Sequence, residues 1–174
     1  MFIRGVSSCD EKIDVEWFEL LKMSKMLGKL DIEMKLFYDG CEGDELSIEY
    51  LRRITKIFIA DGDCIDSIKF TYDGVDGVNY VSPAYGGYGG TNHMITFAEG
   101  EVITRITGTF GEHGQAMVIT SLSIDTNKGT HGPYGKNVGT GFSLPVTKGK
   151  FIGFYGTYGD YIQSFGAILQ PVSN

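Results

Sequence analysis

Two short segments of the chain carry the residue types best suited to chemistry. One is Asp61-Gly62-Asp63-Cys64-Ile65-Asp66 and the other is Tyr158-Gly159-Asp160-Tyr161-Ile162-Gln163. They are one element written twice, Gly-Asp-x-Ile closed by Asp66 in the first copy and by Gln163 in the second. Paired carboxylates would suit glycoside hydrolysis, in which two acids work from opposite sides of the scissile bond. Asp63 and Asp66 share one short turn, so they cannot flank a glycosidic bond. Cys64 offers a thiol, but a nucleophilic cysteine needs a base or a cation to lower its pKa, and no His or basic residue adjoins it in sequence. His93, His113 and His131 lack metal-ligand spacing, and no Cys-x-x-Cys occurs, so no metal site is expected. No catalytic residue and no cofactor is therefore assigned. The acidic pair keeps two readings: a binding turn, or a solvated turn whose aspartates serve their own backbone.

The elements that must position these turns read mostly as strands. Ile54–Ile59, Ser67–Tyr72, Val102–Thr107, Val118–Ile124 and Lys150–Tyr155 are β-branched or aromatic runs. Most alternate apolar with polar residues, as half-buried strands do. Asp73-Gly74, Asp76-Gly77, Gly86-Gly87 and Asn127-Lys128-Gly129 mark turns between them. A repeat runs through the pattern: Ile54-Thr55-Lys56-Ile57 returns as Ile103-Thr104-Arg105-Ile106 and more loosely as Ile152-Gly153-Phe154-Tyr155, each time after 49 residues. Glycine-bearing turns keep step with it at Asp39–Gly43, Gly86-Gly87-Tyr88-Gly89-Gly90 and Gly132-Pro133-Tyr134-Gly135. Three units are too few for a propeller. They predict an all-β fold closed around a threefold axis, which removes exposed sheet edges. Ile57, Ile68, Phe70, Ile106, Leu122, Ile124, Phe154 and Ile168 would meet along that axis. Residues 1–34 stand apart as an N-terminal extension. Within it, Asp14–Leu30 has the apolar spacing of an amphipathic helix.

Composition narrows the function. Of 25 glycines, only Gly5, Gly28, Gly40 and Gly43 fall in the first 60 residues, so the remainder of the chain is the turn-rich part. A net charge of −7 argues against nucleic acid as a partner and against anionic membranes, both of which need a basic face. No apolar run approaches the length of a membrane span, so membrane insertion is not expected. Cys9, Cys41 and Cys64 make an odd set that reads as reduced thiols. With no apolar signal-peptide core at the N-terminus, a cytoplasmic or nuclear location is expected.

Several stretches together resemble the jacalin-related lectins, especially the mannose-binding subgroup, from about Lys35 to Pro171. They are Gly62–Tyr72, Gly86–Gly90 with Thr91 and His93, Thr126-Asn127 with Gly132–Gly135, Phe142-Ser143-Leu144-Pro145, and Gly153–Gly156 followed by Gly159-Asp160-Tyr161. The resemblance implies a β-prism I fold with three four-stranded Greek-key sheets over residues 35–172. It also implies metal-free sugar binding. A carboxylate accepts from two adjacent hydroxyls, and such charge-assisted bonds are the strong ones. Backbone amides of a glycine turn donate to the same sugar, because no Cβ keeps it away. A flanking aromatic ring covers its C–H face.

By the same resemblance each site joins an acidic turn to a glycine turn. One site would use Gly159, Asp160, Tyr161, Ile162 and Gln163 with the glycine turn at Gly40. Gln163 replaces the usual Asp there, and Asp39–Asp44 lacks a Gly-Gly pair, so this site is expected to be weakened or altered. The other site would use Gly62, Asp63, Cys64, Ile65 and Asp66 with Gly86 and Gly87. In it Asp66 accepts from two hydroxyls, while the Asp63, Cys64 and Gly87 amides donate. A third site, pairing Gly132–Gly135 with Phe110–Gln115, is not expected to work. Tyr85, Tyr88 and Tyr161 each adjoin a site glycine and are candidate sugar-facing rings. The implied ligands are mannose- or glucose-type glycans, bound weakly at each site and therefore through a homo-oligomer. The competing reading is a protein-interaction module whose sugar turns have degenerated.

Overall fold

The β-branched and aromatic runs do form strands. The structure, a computed structural model, describes residues 4–6, 44–48, 51–146 and 149–170. The strands are β1 (Arg4–Val6), β2 (Asp44–Ile48), β3 (Leu51–Asp61), β4 (Ile65–Gly74), β5 (Asn79–Val81), β6 (Tyr85–Gly86) and β7 (Thr91–Thr96). They continue with β8 (Ile103–His113), β9 (Ala116–Thr126), β10 (Thr130–Gly135), β11 (Thr140–Pro145), β12 (Lys150–Tyr158) and β13 (Ile162–Gln170). The segment Asp14–Leu30, expected to be helical, lies outside the described residues.

These strands make three antiparallel sheets ordered β5-β4-β3-β7, β10-β9-β8-β11 and β1-β13-β12-β2. In the first, β3, β4 and β5 follow one another and β7 returns beside β3, which is a Greek key. The second repeats that order with β8 to β11. The third repeats it with β12 and β13 inside and β1 and β2 at the two edges, so it is built from the two ends of the described chain. The 49-residue repeat is now explained: Ile54, Ile103 and Ile152 sit on β3, β8 and β12, the equivalent strand of each sheet. One sheet departs from four strands, because β6 pairs with Ser67 and Ile68 of β4. Arg4–Val6 pairs with Phe165–Ala167 and so forms an edge of the third sheet.

The inner faces of all three sheets touch one another. The eight residues assigned to the axis are each 5% exposed or less. Phe154 is the hub, stacked on Phe70 of another sheet at 5.2 Å and on Phe165 and Phe151 at 5.3 and 5.7 Å. Each such buried side chain contributes about 1.5–3 kcal/mol.

The register of the hairpins shapes the functional turns. In β3–β4 the pairing slips between Ala60 and Asp61, and in β12–β13 it slips between Thr157 and Tyr158. Both bulges stand directly before the Gly-Asp turns, where a bulge re-aims the chain. In β8–β9 the slip comes earlier, at Thr109/Phe110, and His113 pairs straight to Ala116 across Gly114-Gln115. The middle turn is therefore a tight hairpin and not a third copy of the acidic turn. At the opposite end of the sheets the buried Glu101 carboxylate accepts from the Ala98 amide (2.9 Å) and the Thr126 hydroxyl (2.8 Å), and His131 Nε2 lies 3.1 Å away. These bonds, led by the Ala98 amide, pull its pKa down to about 2.

Candidate functional site

The backbone fixes the acidic turns. In the first, the Gly62 amide donates to the Cys64 carbonyl at 3.0 Å, and in the second the Gly159 amide donates to the Tyr161 carbonyl, also at 3.0 Å. The closing side chains occupy equivalent places. A Cβ at Gly62 would lie 3.7 Å from Asp66 Oδ2, and one at Gly159 would lie 3.3 Å from Gln163 Nε2. Gln163 thus holds the position that Asp66 holds, with an amide in place of a carboxylate. Its Oε1 is buried without a hydrogen-bond partner among the described residues.

The glycine turn after β6 closes on the first acidic turn. The Gly87 amide donates to the Asp66 carbonyl at 3.1 Å. Gly86 adopts φ +109°, and a Cβ there would collide with the Asp66 carbonyl. Gly89 and Gly90 pass the Asp66 carboxylate itself: Cβ atoms there would lie 2.8 Å from Oδ1 and 2.6 Å from Oδ2. Only glycine permits this approach. Gly87 also abuts the Asp160 backbone of the other acidic turn. The glycine turn is therefore a wall shared by both acidic turns.

The Asp66 carboxylate is half-buried and accepts no hydrogen bond from another described residue. Burial pushes its pKa up, and the nearby Asp61 charge adds to that, while His113 partly opposes it. The Asp63 side chain is engaged differently. Lys136 Nζ stands 2.5 Å from its Oδ1, and this hydrogen bond and charge hold the Asp63 carboxyl below its ordinary value. Asp63 thus offers its backbone rather than its carboxylate. Cys64 and Ile65 are fully buried beneath the turn. Burial, reinforced by the charges of Asp66 and Asp63, pushes the Cys64 thiol up to about 11, which makes it inert as a nucleophile.

Three contacts around the turns were invisible in the sequence. Asp61 Oδ2 accepts from the Gly135 amide at 2.5 Å, and His93 Nε2 lies 2.7 Å from Asp61 Oδ1. Gly132–Gly135, expected from sequence to be a turn, is instead the bulged C-terminal half of β10, and it serves the first acidic turn, bringing Lys136 to Asp63. His113 sets its ring edge-on to Tyr161, with centroids 4.9 Å apart. His93 reaches Asp61 within one sheet, where β7 pairs with β3, whereas Gly135 and Asp61, and His113 and Tyr161, come from different sheets and meet only through the threefold closure.

Two sequence expectations need correction. Tyr85 does not face a sugar: it is 7% exposed and packs against Tyr158 at 5.6 Å. The Gly87 amide is not free to donate to a ligand, because it is already bonded to the Asp66 carbonyl. The amides of Tyr88, Gly89 and Gly90 make no hydrogen bond among the described residues, and neither do those of Asp63 and Cys64. The Gly40 turn lies outside the described residues, so the glycine partner of the Gly159–Gln163 turn is not placed.

Comparison with known families matches residues 38–168 to the jacalin-like lectin domain. The chain belongs to that family. It is a lectin family rather than an enzyme family. Horcolin from Hordeum vulgare is 36% identical to this lectin over 121 residues, covering 68% of this chain and 83% of horcolin. A mannose/glucose-specific lectin from Parkia pendula is 34% identical over 142 residues, covering 77% of this chain but only 31% of that longer protein. Among solved structures, a mannose-binding jacalin-related lectin from Ananas comosus superimposes with a TM-score of 0.72 at 36% identity, covering 76% of this chain and 93% of its own. The three Greek-key sheets of this lectin are those of the β-prism I fold. No cluster of three or more His, Cys, Asp and Glu side chains suited to a metal ion occurs among the described residues.

Proposed function

We propose that this lectin binds mannose- or glucose-type sugars at the Asp63–Asp66 turn. The observation that carries the reading is the Asp66 carboxylate. It is half-buried, its hydrogen-bonding partner among the described residues is its own backbone, and it lies against a glycine turn with unused amides. A carboxylate so placed is costly to leave unpaired. Two vicinal hydroxyls satisfy both of its oxygens, and the free amides of Asp63, Cys64, Gly89 and Gly90 donate to the sugar's remaining oxygens. The Gly159–Gln163 turn has the same backbone but a neutral amide at its closing position, so it binds the same sugar more weakly. The mannose-type assignment draws on the Ananas and Parkia lectins.

One such site gives a dissociation constant of about a millimolar, roughly −4 kcal/mol. Useful avidity then needs several sites held together, so a homo-oligomer is part of the proposal, as is a cytoplasmic or nuclear location. Calorimetric titration with methyl α-mannoside, methyl α-glucoside and methyl α-galactoside is the direct test. Saturable binding of the first two, with galactoside at least tenfold weaker, is the expected result. Binding of none of them, nor of any sugar on a glycan array, would overturn the proposal in favour of a protein-interaction module. Sedimentation analysis reads the oligomeric state.

A further inference from the structure

We infer that Tyr88 is a platform for a second sugar unit, so that the Asp66 site takes oligosaccharides in preference to monosaccharides. This rests on the proposed sugar site. Of the tyrosines beside the site glycines, Tyr85 is buried against Tyr158 and Tyr161 is half-buried against His113. Tyr88 alone is fully exposed, at 109% of the reference area. Its ring is covered by none of the described residues, yet its backbone is tightly held. On one side Gly87 is bonded to the Asp66 carbonyl and abuts Asp160; on the other, Gly89 and Gly90 lie against the Asp66 carboxylate.

A loop pinned at both shoulders offers its tip residue at little entropic cost. The residue at that tip is a large ring with an apolar face and a polar edge. A sugar held by Asp66 lies within one residue of Tyr88 along the turn. The next unit of a glycan, extending from the first, meets the ring through its C–H face. The Gly87 contact with Asp160 places this tip between the two acidic turns, so the added unit lies toward the Gly159–Gln163 side. The monosaccharide touches only the acidic turn and the free amides, so it gains nothing from the ring.

The test compares methyl α-mannoside with an α-linked mannotriose on the wild type, Tyr88→Ala and Tyr88→Phe, by calorimetry. In the wild type the trisaccharide should bind about three- to tenfold more tightly per site than the monosaccharide. Tyr88→Ala should keep monosaccharide affinity and lose that increment, and Tyr88→Phe should keep both. A trisaccharide-to-monosaccharide ratio near unity in the wild type, or one unchanged by Tyr88→Ala, would overturn the inference while leaving the Asp66 site standing. Equal weakening of both sugars in Tyr88→Ala would overturn it too, since that marks a structural role for the loop. Failure of the wild type to bind either sugar would instead remove the site itself, and the platform with it.

Discussion

Replacing Asp66 by Asn should separate binding from stability. The Asp66 carboxylate is proposed to accept from two sugar hydroxyls, and bonds to a charged acceptor contribute about 1.5–3 kcal/mol each. Asn keeps one neutral acceptor and turns the other position into a donor. A net loss of about 2–3 kcal/mol follows, which is roughly 30- to 150-fold in affinity. The effect on the fold runs the other way. Burial and the Asp61 and Asp63 charges raise the Asp66 pKa, so the folded state holds that proton more tightly than the unfolded chain does. The stability this contributes is present at low pH and is lost as pH rises through the raised pKa. At neutral pH the ionised carboxylate is thus a liability, and Asn removes it. Asp66→Asn should therefore melt at the wild-type temperature or above while methyl α-mannoside binding becomes undetectable at millimolar concentrations. In the wild type, sugar affinity should fall as pH drops through a window above that of an ordinary aspartate. Titration calorimetry and a thermal melt on the same samples decide the matter. Affinity within threefold of wild type, or a melting point several degrees lower, would refute the reasoning.

Gln163→Asp restores a carboxylate to the second turn and should raise the stoichiometry of strong sites from one to two per chain by calorimetry. Gly87→Ala drives a Cβ into the Asp160 backbone, an overpacking cost of about 1–3 kcal/mol. It should lower the melting point and weaken sugar binding at both turns in an NMR titration. Glu101→Gln loses the charge-assisted bonds to Ala98, Thr126 and His131, and chemical denaturation should show a loss of about 2–3 kcal/mol. Because the folded-state pKa of Glu101 is depressed from 4.5 to about 2, its contribution is present above pH 4.5 and disappears as pH falls toward 2. Wild type should lose stability across that interval, and Glu101→Gln should lose less.

The sheets were legible because their signal is local. Alternation marks β3, β4 and β9 directly, and the 49-residue spacing names the equivalent strands of three sheets without any contact being known. The two acidic turns were legible for the same reason: a turn shaped by a bulge and a glycine is written in consecutive residues. What surrounds them was not. Tyr85 and Tyr88 are three residues apart beside the same glycines, yet one packs on Tyr158 and the other points to solvent. No periodicity distinguishes them, because the choice depends on β6 pairing with β4. Lys136 on Asp63, Gly135 on Asp61 and Gly87 on Asp160 all join segments of different sheets. Such pairings are set by closure around the axis, and a single sequence carries no mark of them.

The third sheet draws its edges from β1 and β2 and its centre from β12 and β13. A ribosome makes those halves far apart in time. Until the last hairpin emerges, the early strands have no ladder to join and the other two sheets have an uncovered flank. Completion of the third sheet thus waits on the last hairpin, and the fold is dominated by non-local pairing, a topology associated with slow folding. During that wait the exposed strand edges are open to mispairing. Shortening the interval by circular permutation, so that β12 and β13 precede β1, would let each Greek key complete itself in turn.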